Sequence, residues 1–562
     1  MRRGADAVVF LGNMIMSTAV RALASAAPPS SRSPQVDEIE SDAGAPPSPP
    51  RTYAALILEP SDAPAAHLSP AASDPARTNL TAALAIVAFA AAWTAFQTVL
   101  NSSEALHHDM TEAYVWGREF QLGYFKHPPL WAWIAGAWFW LWPRTNWAFE
   151  VLGGVNVAVG LWGAWRLIGL FAQGERRLAA LLLLMTTPLY AALAFKFNAN
   201  TIFIALWPWT LYTLLRSVDR ARPIDAALFG LMAAADMLSK YYAILLLIAC
   251  LAAVLVHPRR KAYFTSAAPY LSVVVGAAAV APHVWWLFAN NFGPFHFFNG
   301  ETGHSFGFAL GKAGGLIFGI LAIHALAILL VVVAGWPNRR RWAANAARLL
   351  RDPRRRVLAM IVLAPVVLTL VAGLAFRLKA STNWTIGDFP LVGLLLIEIA
   401  APEPRRLTRM AGGAAVAGAV VALALSPWAA MRAFHDKVGE ASEPRIELAA
   451  AARKVWSARS AGPMGFVAGA PQYAEAVVFY GDDPASEFTD FDPRHAPWVT
   501  PDALARRGLI AVCARDDAAC LAAAARLATP RSNWSDLTLA HGYRGQQRAP
   551  VAFRLMVRPP DL

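Results

Sequence analysis

The sequence predicts a mainly α-helical, polytopic integral membrane protein with about eleven transmembrane helices. One further helix is expected to lie along the membrane surface, followed by a small C-terminal α/β domain outside the membrane. Three observations lead there. Of 562 residues, 57% are hydrophobic and only 15% are charged, more apolar surface than a soluble protein of this size can hide. Lys and Arg fall in short clusters between the apolar runs, as they do in cytoplasmic loops. From about Met431 charge returns, and short β-like runs alternate with helical ones.

Residues 1–78 are rich in Ala, Pro and Ser, with SAAPPSSRSP and GAPPSPP stretches. Such a segment cannot bury a core and is expected to be a disordered tail. The apolar stretch 8–20 follows Arg2 and Arg3 as in a signal peptide, but the long Pro-rich segment behind it speaks against one. The first span is expected at about 80–100. Further apolar runs lie near 148–170, 178–195, 200–215, 225–239, 241–256, 264–289, 308–334, 357–376, 385–400 and 409–430. Basic clusters at 176–177, 216–222, 259–261, 339–356 and 405–409 belong in the cytoplasm by their charge.

That rule decides the run 128–142. If it crossed the membrane, the loop with Arg176 and Arg177 would land outside and every later basic loop would invert. Placed along the outer surface, it leaves all five clusters inside. Its five tryptophans, at 131, 133, 138, 140 and 142, suit an interface because indole is apolar with one polar handle. The N-terminus is then cytoplasmic, and the segment 109–133 and the C-terminal domain are periplasmic. A net charge of +13 is accounted for by these loops, so no nucleic-acid partner is expected. Membrane lipids are.

The stretch 109–133, DMTEAYVWGREFQLGYFKHPPLWAW, places Asp109, Glu112, Arg118, Glu119, Lys126 and His127 directly after the first span. Its blocks TEAYVW (111–116) and GYFKHPPL (123–130) resemble those of the GT-C glycosyltransferases of family 39, which use polyprenyl-phosphate sugars. The resemblance covers about 80–430 well and the tail loosely. It implies a GT-C transmembrane catalytic domain over 79–430 and a periplasmic domain over 431–562. It also implies inverting transfer of one sugar from a polyprenyl-phosphate carrier to a lipid, glycan or protein acceptor on the outer face. Within the family, the KHPPL and FNANT variants look nearest to the bacterial galacturonosyltransferase-like group that modifies lipopolysaccharide. Protein mannosyltransferases and aminoarabinose transferases look more distant.

Transfer from a lipid phosphate needs a carboxylate to orient or deprotonate the incoming hydroxyl. Relatives carry an adjacent acidic pair; here Thr111 replaces the first acid and Glu112 keeps the second. Asp109 lies one turn back, which leaves the base open between Glu112 and Asp109. Relatives also commonly read Asp-His-Pro-Pro where this chain has Lys126-His127-Pro128-Pro129. A cation there, with Tyr124 and His127, suits a phosphate leaving group that gains charge in the transition state. Lys240 in DMLSKYYAILL matches the family's Ser-Lys-Tyr segment. It is a phosphate candidate, with Asp236 four residues earlier as the alternative ion-pair partner.

Arg377 and Lys379, where a late span emerges, are candidates for the same phosphate or for anchoring at the interface. Asn198, Asn200 and Thr201 in AFKFNANTIF stand where relatives have Thr-Pro-Asp. They can bind sugar hydroxyls, with Lys196 nearby, or cap the next helix. His283 is a further sugar- or acceptor-binding candidate. No HExxH, CxxC or Asp/His cluster at ligand spacing is evident, so neither metal nor cofactor is expected. Cys513 and Cys520 flank an expected strand–turn–helix that brings them within disulfide reach, with Asp516 or Asp517 capping the helix, while Cys250 stays free. A transporter or flippase is the rival reading, and it is disfavoured by the lack of an internal repeat and by polar groups gathering at one face. A non-catalytic GT-C member is the other. Sugar, acceptor and oligomeric state are not encoded in any recognisable motif.

Overall fold

The computed structural model describes residues 75–300, 302–436 and 439–561. Most of the expected tail 1–78, including the signal-like stretch 8–20, lies outside the described residues. All eleven apolar runs are helical. Among the described residues, six helices are long and apolar enough to cross a membrane. They include α1 (Pro75–Leu100), α4 (Asn146–Ile168), α9 (Ala268–Ala289), α10 (Phe306–Gly335), α12 (Pro353–Ala375) and α14 (Pro404–Asp436). A seventh, α5 (Gly174–Met185), bends by 62° into the short helical segments that end at Phe195. The remaining runs form α6 (Phe203–Arg220), α7 (Pro223–Met237), α8 (Ala243–Val256) and α13 (Val392–Ala400), of 18, 15, 14 and 9 residues. These are shorter than the roughly 20 residues that a straight apolar crossing takes.

Between α1 and α4 the chain forms two short helices, α2 (His108–Glu119) and α3 (Leu130–Leu141). They touch backbone to backbone at Gly117 and Gly136, where a Cβ on Gly117 would fall on the Ala132 carbonyl. Phe120, in the left-handed region, ends α2. Pro129 precedes α3, whose first N–H cannot be satisfied within the helix; Leu130 instead donates to the Leu238 carbonyl at 2.8 Å. Trp131 is buried while Trp140 at the far end is 73% exposed, the gradient of a helix lying at a surface.

The expected domain boundary at 431 falls inside α14, which runs on to Asp436. Beyond it come α15 (Arg445–Ser457), β1 (Phe466–Gly469), α16 (Pro471–Tyr480), β2 (Ser486–Thr489), α17 (Pro501–Arg507), β3 (Leu509–Ala514), α18 (Ala518–Leu527), β4 (Asn533–Leu539) and β5 (Val551–Arg558). The sheet order is β2-β1-β3-β5-β4. The first three strands are parallel, and β5 pairs antiparallel with both β3 and β4. The run 476–480 reads as a strand but forms the end of α16. Its residues 473–479 are buried on every face, so the sequence carries no helical alternation there. Asp517 caps α18 by accepting from the Cys520 N–H at 2.9 Å. Cys513 and Cys520 form a disulfide with Cα atoms 5.6 Å apart, and Cys250 is free and buried.

One sheet edge, β2, is covered by α2. Arg118 donates to the Ala485 and Pro484 carbonyls at 2.6 and 2.5 Å. The Trp116 indole donates to Glu487 at 3.0 Å. A second tie is His541, held between Glu447 and the Ser103 carbonyl at 2.9 and 2.8 Å. The C-terminal domain is thereby fastened onto the loop between α1 and α4.

Candidate active site

Two groups of charged side chains meet on the loop between α1 and α4. The first is organised by Asp109 in the opening turn of α2. His107 caps that helix, its Nδ1 accepting from the Asp109 N–H at 3.1 Å. The Asp109 carboxylate takes the Lys196 ammonium at 2.8 Å and the Asn198 amide at 3.2 Å, with His108 Nε2 at 3.1 Å. Asn198 does two jobs. Its oxygen accepts from the N–H groups of Asn200 and Thr201 at 2.8 and 3.1 Å, which folds the turn before α6. Its nitrogen is left to hold Asp109. Thr201 is buried and donates to the Lys196 carbonyl at 3.0 Å, so its hydroxyl braces the same turn.

Asn200 Oδ1 accepts from Lys240 at 2.5 Å. The Lys240–Asp236 ion pair that the spacing allowed is not formed; Asp236 instead accepts from Thr210 at 2.7 Å. Lys240 lies in the turn between α7 and α8, and the Leu130–Leu238 hydrogen bond ties this turn to the KHPPL segment. His127 is thus placed under the charges of both Lys240 and Lys126. Burial first, and those two cations second, hold its pKa well below the ordinary value.

The second group surrounds Glu112. Tyr124 N–H donates to the His127 carbonyl at 3.0 Å, closing a turn that presents Phe125 and Lys126. The Lys126 ammonium lies 2.6 Å from Glu112 and 5.4 Å over the Trp116 ring. Phe125 stacks on His495 of the C-terminal domain at 3.8 Å. Thr111, where relatives carry an acid, donates to Glu475 of α16 at 3.1 Å. Glu112, Glu475 and Glu487 are all buried. Three carboxylates with one ammonium cannot all ionise without water.

Burial pushes the Glu112 carboxyl up to about 7 against the pull of Lys126. Burial, with Glu112 and Glu487 as like charges, holds Glu475 well above the ordinary carboxylate range. Glu487 is pushed up to about 8, mainly by burial. Asp109 is the opposite case. Burial works to raise it, but Lys196 and His107 hold it well below the usual range. Its side chain is 28% exposed against 6% for Glu112, so of the two candidate bases Asp109 is the one an acceptor can reach.

Two other candidates have their polar atoms taken by protein. The Tyr124 hydroxyl donates to the Trp116 carbonyl at 2.5 Å, and its ring stacks on Trp116. His283 Nδ1 is 2.7 Å from the Leu122 carbonyl and Nε2 is 3.0 Å from the Tyr241 hydroxyl. Both side chains fasten the loop to the helices behind it. Arg377 and Lys379 are exposed and form no ion pair among the described residues. The sequence reading missed Glu475 and Glu487, which no local motif marks and which reach Glu112 only through the packing of the C-terminal domain. It also passed over His107 and His108, which with Asp109 each bring one ligand atom within 4.8 Å of the others. Lys196, 3.0 Å from His107 Nε2 as well as 2.8 Å from Asp109, already occupies the mouth of that group.

A family profile described as dolichyl-phosphate-mannose-protein mannosyltransferase matches residues 126–286, from Lys126 through the Lys240 turn to His283. No curated protein sequence matches the chain. Among solved structures, the chain is similar to ArnT from Cupriavidus metallidurans bound to undecaprenyl phosphate. That match has a TM-score of 0.54 at 14% identity, covering 86% of this chain and 98% of that one. The apo crystal structure of the same protein gives a TM-score of 0.53 at 12% identity, covering 85% and 98%. The fold is that of ArnT. It includes both the helical membrane portion and the small C-terminal sheet domain.

Proposed function

We propose that the protein is a membrane glycosyltransferase that moves a single sugar from a polyprenyl-phosphate carrier to an acceptor hydroxyl at the outer face of the membrane. The observation that carries this reading is the reachable, ionised Asp109 set beside a row of cations, Lys196, Lys240 and Lys126. Support comes from the ArnT fold, from the undecaprenyl phosphate bound in that ArnT structure, and from the family profile beginning at Lys126. The arginine-rich ends of the helices support placing the opposite, loop-bearing end outside.

In this mechanism the acceptor oxygen attacks the anomeric carbon as the bond from that carbon to the phosphate oxygen breaks. The bonding pair leaves with the lipid phosphate, whose added charge Lys240 and Lys126 stabilise, with the neutral His127 imidazole available as a hydrogen-bond donor. Asp109 orients the acceptor hydroxyl and accepts its proton. Asn198 and Lys196 hold Asp109 in place. Glu112 acts behind Lys126, fixing the ammonium rather than touching the acceptor. The KHPPL and FNANT segments make a uronosyl sugar and a lipopolysaccharide-type lipid acceptor the first to try. Purified protein given undecaprenyl phosphates bearing labelled sugars should release undecaprenyl phosphate from at least one of them, dependent on Asp109. Absence of turnover with every such donor, together with donor-independent solute uptake in proteoliposomes, would replace this reading with a transporter.

A further inference from the structure

At the opposite end of the helix bundle lies a cavity of about 510 Å³ that plays no part in the transfer site. It opens where α14 begins, and 33 residues of helix separate that point from the C-terminal domain, about 50 Å at 1.5 Å per residue. Its walls are Arg176 at the start of α5, Arg341 and Arg348 around helix α11 (Trp342–Arg351), Arg355 at the start of α12, and Glu398 in α13.

The remaining polar groups of the wall are spent. Asn338 and Asn345 donate to the carbonyls of Ala401 and Ile399 at 2.7 and 3.0 Å, closing the end of α13. Glu398 is shared by Arg176 and Arg355, and Arg355 also sees Asp352 at 3.9 Å. Four guanidiniums therefore line an open cavity around one carboxylate, and two of the four, the exposed Arg341 and Arg348, have no acidic partner among the described residues. Other arginines of the same run are used differently. Arg339 donates to the Trp336 carbonyl at 3.3 Å, and Arg356 to the Leu350 carbonyl at 2.9 Å.

We propose that this cavity binds a phosphate-bearing anion. Guanidinium forks match phosphate oxygens in pairs, and Glu398 is the one carboxylate in the wall. The volume exceeds what one inorganic phosphate fills, so a headgroup or a diphosphate suits it better. Trp336 and Leu350, 54% and 67% exposed beside the cavity, place its rim where acyl chains or a headgroup layer would meet it. That makes an anionic phospholipid headgroup the favoured source over a soluble phosphate compound.

The test uses the full-length protein in zwitterionic micelles. Cardiolipin, phosphatidylglycerol and inorganic diphosphate are titrated separately, with binding read by native mass spectrometry and by thermal shift. Arg341→Gln/Arg348→Gln removes the two free guanidiniums, and Arg339→Gln/Arg340→Gln removes the same charge outside the cavity. Binding of cardiolipin or phosphatidylglycerol should weaken about tenfold or more in the first variant, as expected for lost charged hydrogen bonds, and be kept in the second. If inorganic diphosphate shows that pattern and the lipids do not, the site stands and its ligand is a soluble phosphate compound. Equal weakening in both variants reduces the effect to general charge and overturns the proposal, as does no binding of any of the three probes.

Discussion

Lys126→Met keeps the aliphatic stem and removes the ammonium that lies 2.6 Å from Glu112. In the wild-type protein, burial pushes the Glu112 carboxyl from 4.5 up to about 7. A carboxyl whose folded pKa is raised holds its proton more tightly folded than unfolded. Its contribution therefore lowers stability as pH rises from about 4.5 to about 7, and is level above that. At about 1.4 kcal/mol per pKa unit, the full cost is roughly 3 kcal/mol. Without Lys126, Glu112 stays protonated well above pH 7, and the decline continues with pH at about 1.4 kcal/mol per unit. The variant should match wild type near pH 6, then fall short by roughly 1 kcal/mol near pH 7.5 and roughly 2 kcal/mol near pH 8.5. Glu475, also drawn down by Lys126, adds in the same direction. Reversible denaturant unfolding in mixed micelles across this pH range measures the deficit, and Lys126→Met/Glu112→Gln should remove most of its pH dependence. A deficit as large near pH 6 as near pH 8.5 would refute the argument, because it would mean that Lys126 acts through packing alone.

Asp109→Asn keeps the shape of the side chain and removes the charge and one of its two acceptor oxygens. It should cut transfer by about a hundredfold or more while undecaprenyl phosphate binding stays near wild type; undiminished turnover would move the acceptor site elsewhere. Lys240→Met should weaken donor binding about tenfold or more, as expected for a lost hydrogen bond to a phosphate, and an unchanged KM and kcat would exclude Lys240 from the phosphate site. Alkylation of denatured, unreduced protein should label Cys250 and leave the peptide containing Cys513 and Cys520 unmodified. Two labels in that peptide would contradict the disulfide and an oxidising location for the domain.

The legible parts of this chain were those where the cause is local. The helices 501–507 and 518–527 could be bounded from Pro501 and from Asp517 ahead of an Ala-rich run, because capping and propensity act within one turn. The KHPPL loop could be singled out because charge beside apolar spans stands out. The strand Ser486–Thr489, SEFT, was invisible because its burial comes from α2 covering a sheet edge rather than from its own hydrophobicity. The same cause hid Glu475 and Glu487. Thr111 meets Glu475 across 364 positions of sequence, and no periodicity reports such a contact. Several apolar runs form helices of only 9 to 18 residues, because tight turns end them; the one over Phe203–Arg220 continues through Pro208.

The two departures from the family pattern are one physical event seen at two positions. An acid at 111 would face Glu475, which Thr111 now contacts at 3.1 Å as a hydrogen-bond donor. An acid at 126 would face Glu112, which Lys126 now contacts at 2.6 Å. Keeping both acids would pack five carboxylates, with Glu487, into one buried space with no ammonium among them, and most would have to stay protonated. A hydroxyl and an ammonium instead leave one ion pair and neutral acids, a state that a water-poor junction can hold. Beside Thr111, the acid is Glu475 from α16 of the C-terminal domain. The ionised acid that faces outward is Asp109, one turn earlier on the same helix. Docking of the C-terminal domain and placement of Lys126 are therefore a single equilibrium, so whatever loosens α16 from α2 also releases the cation from beside the transfer site.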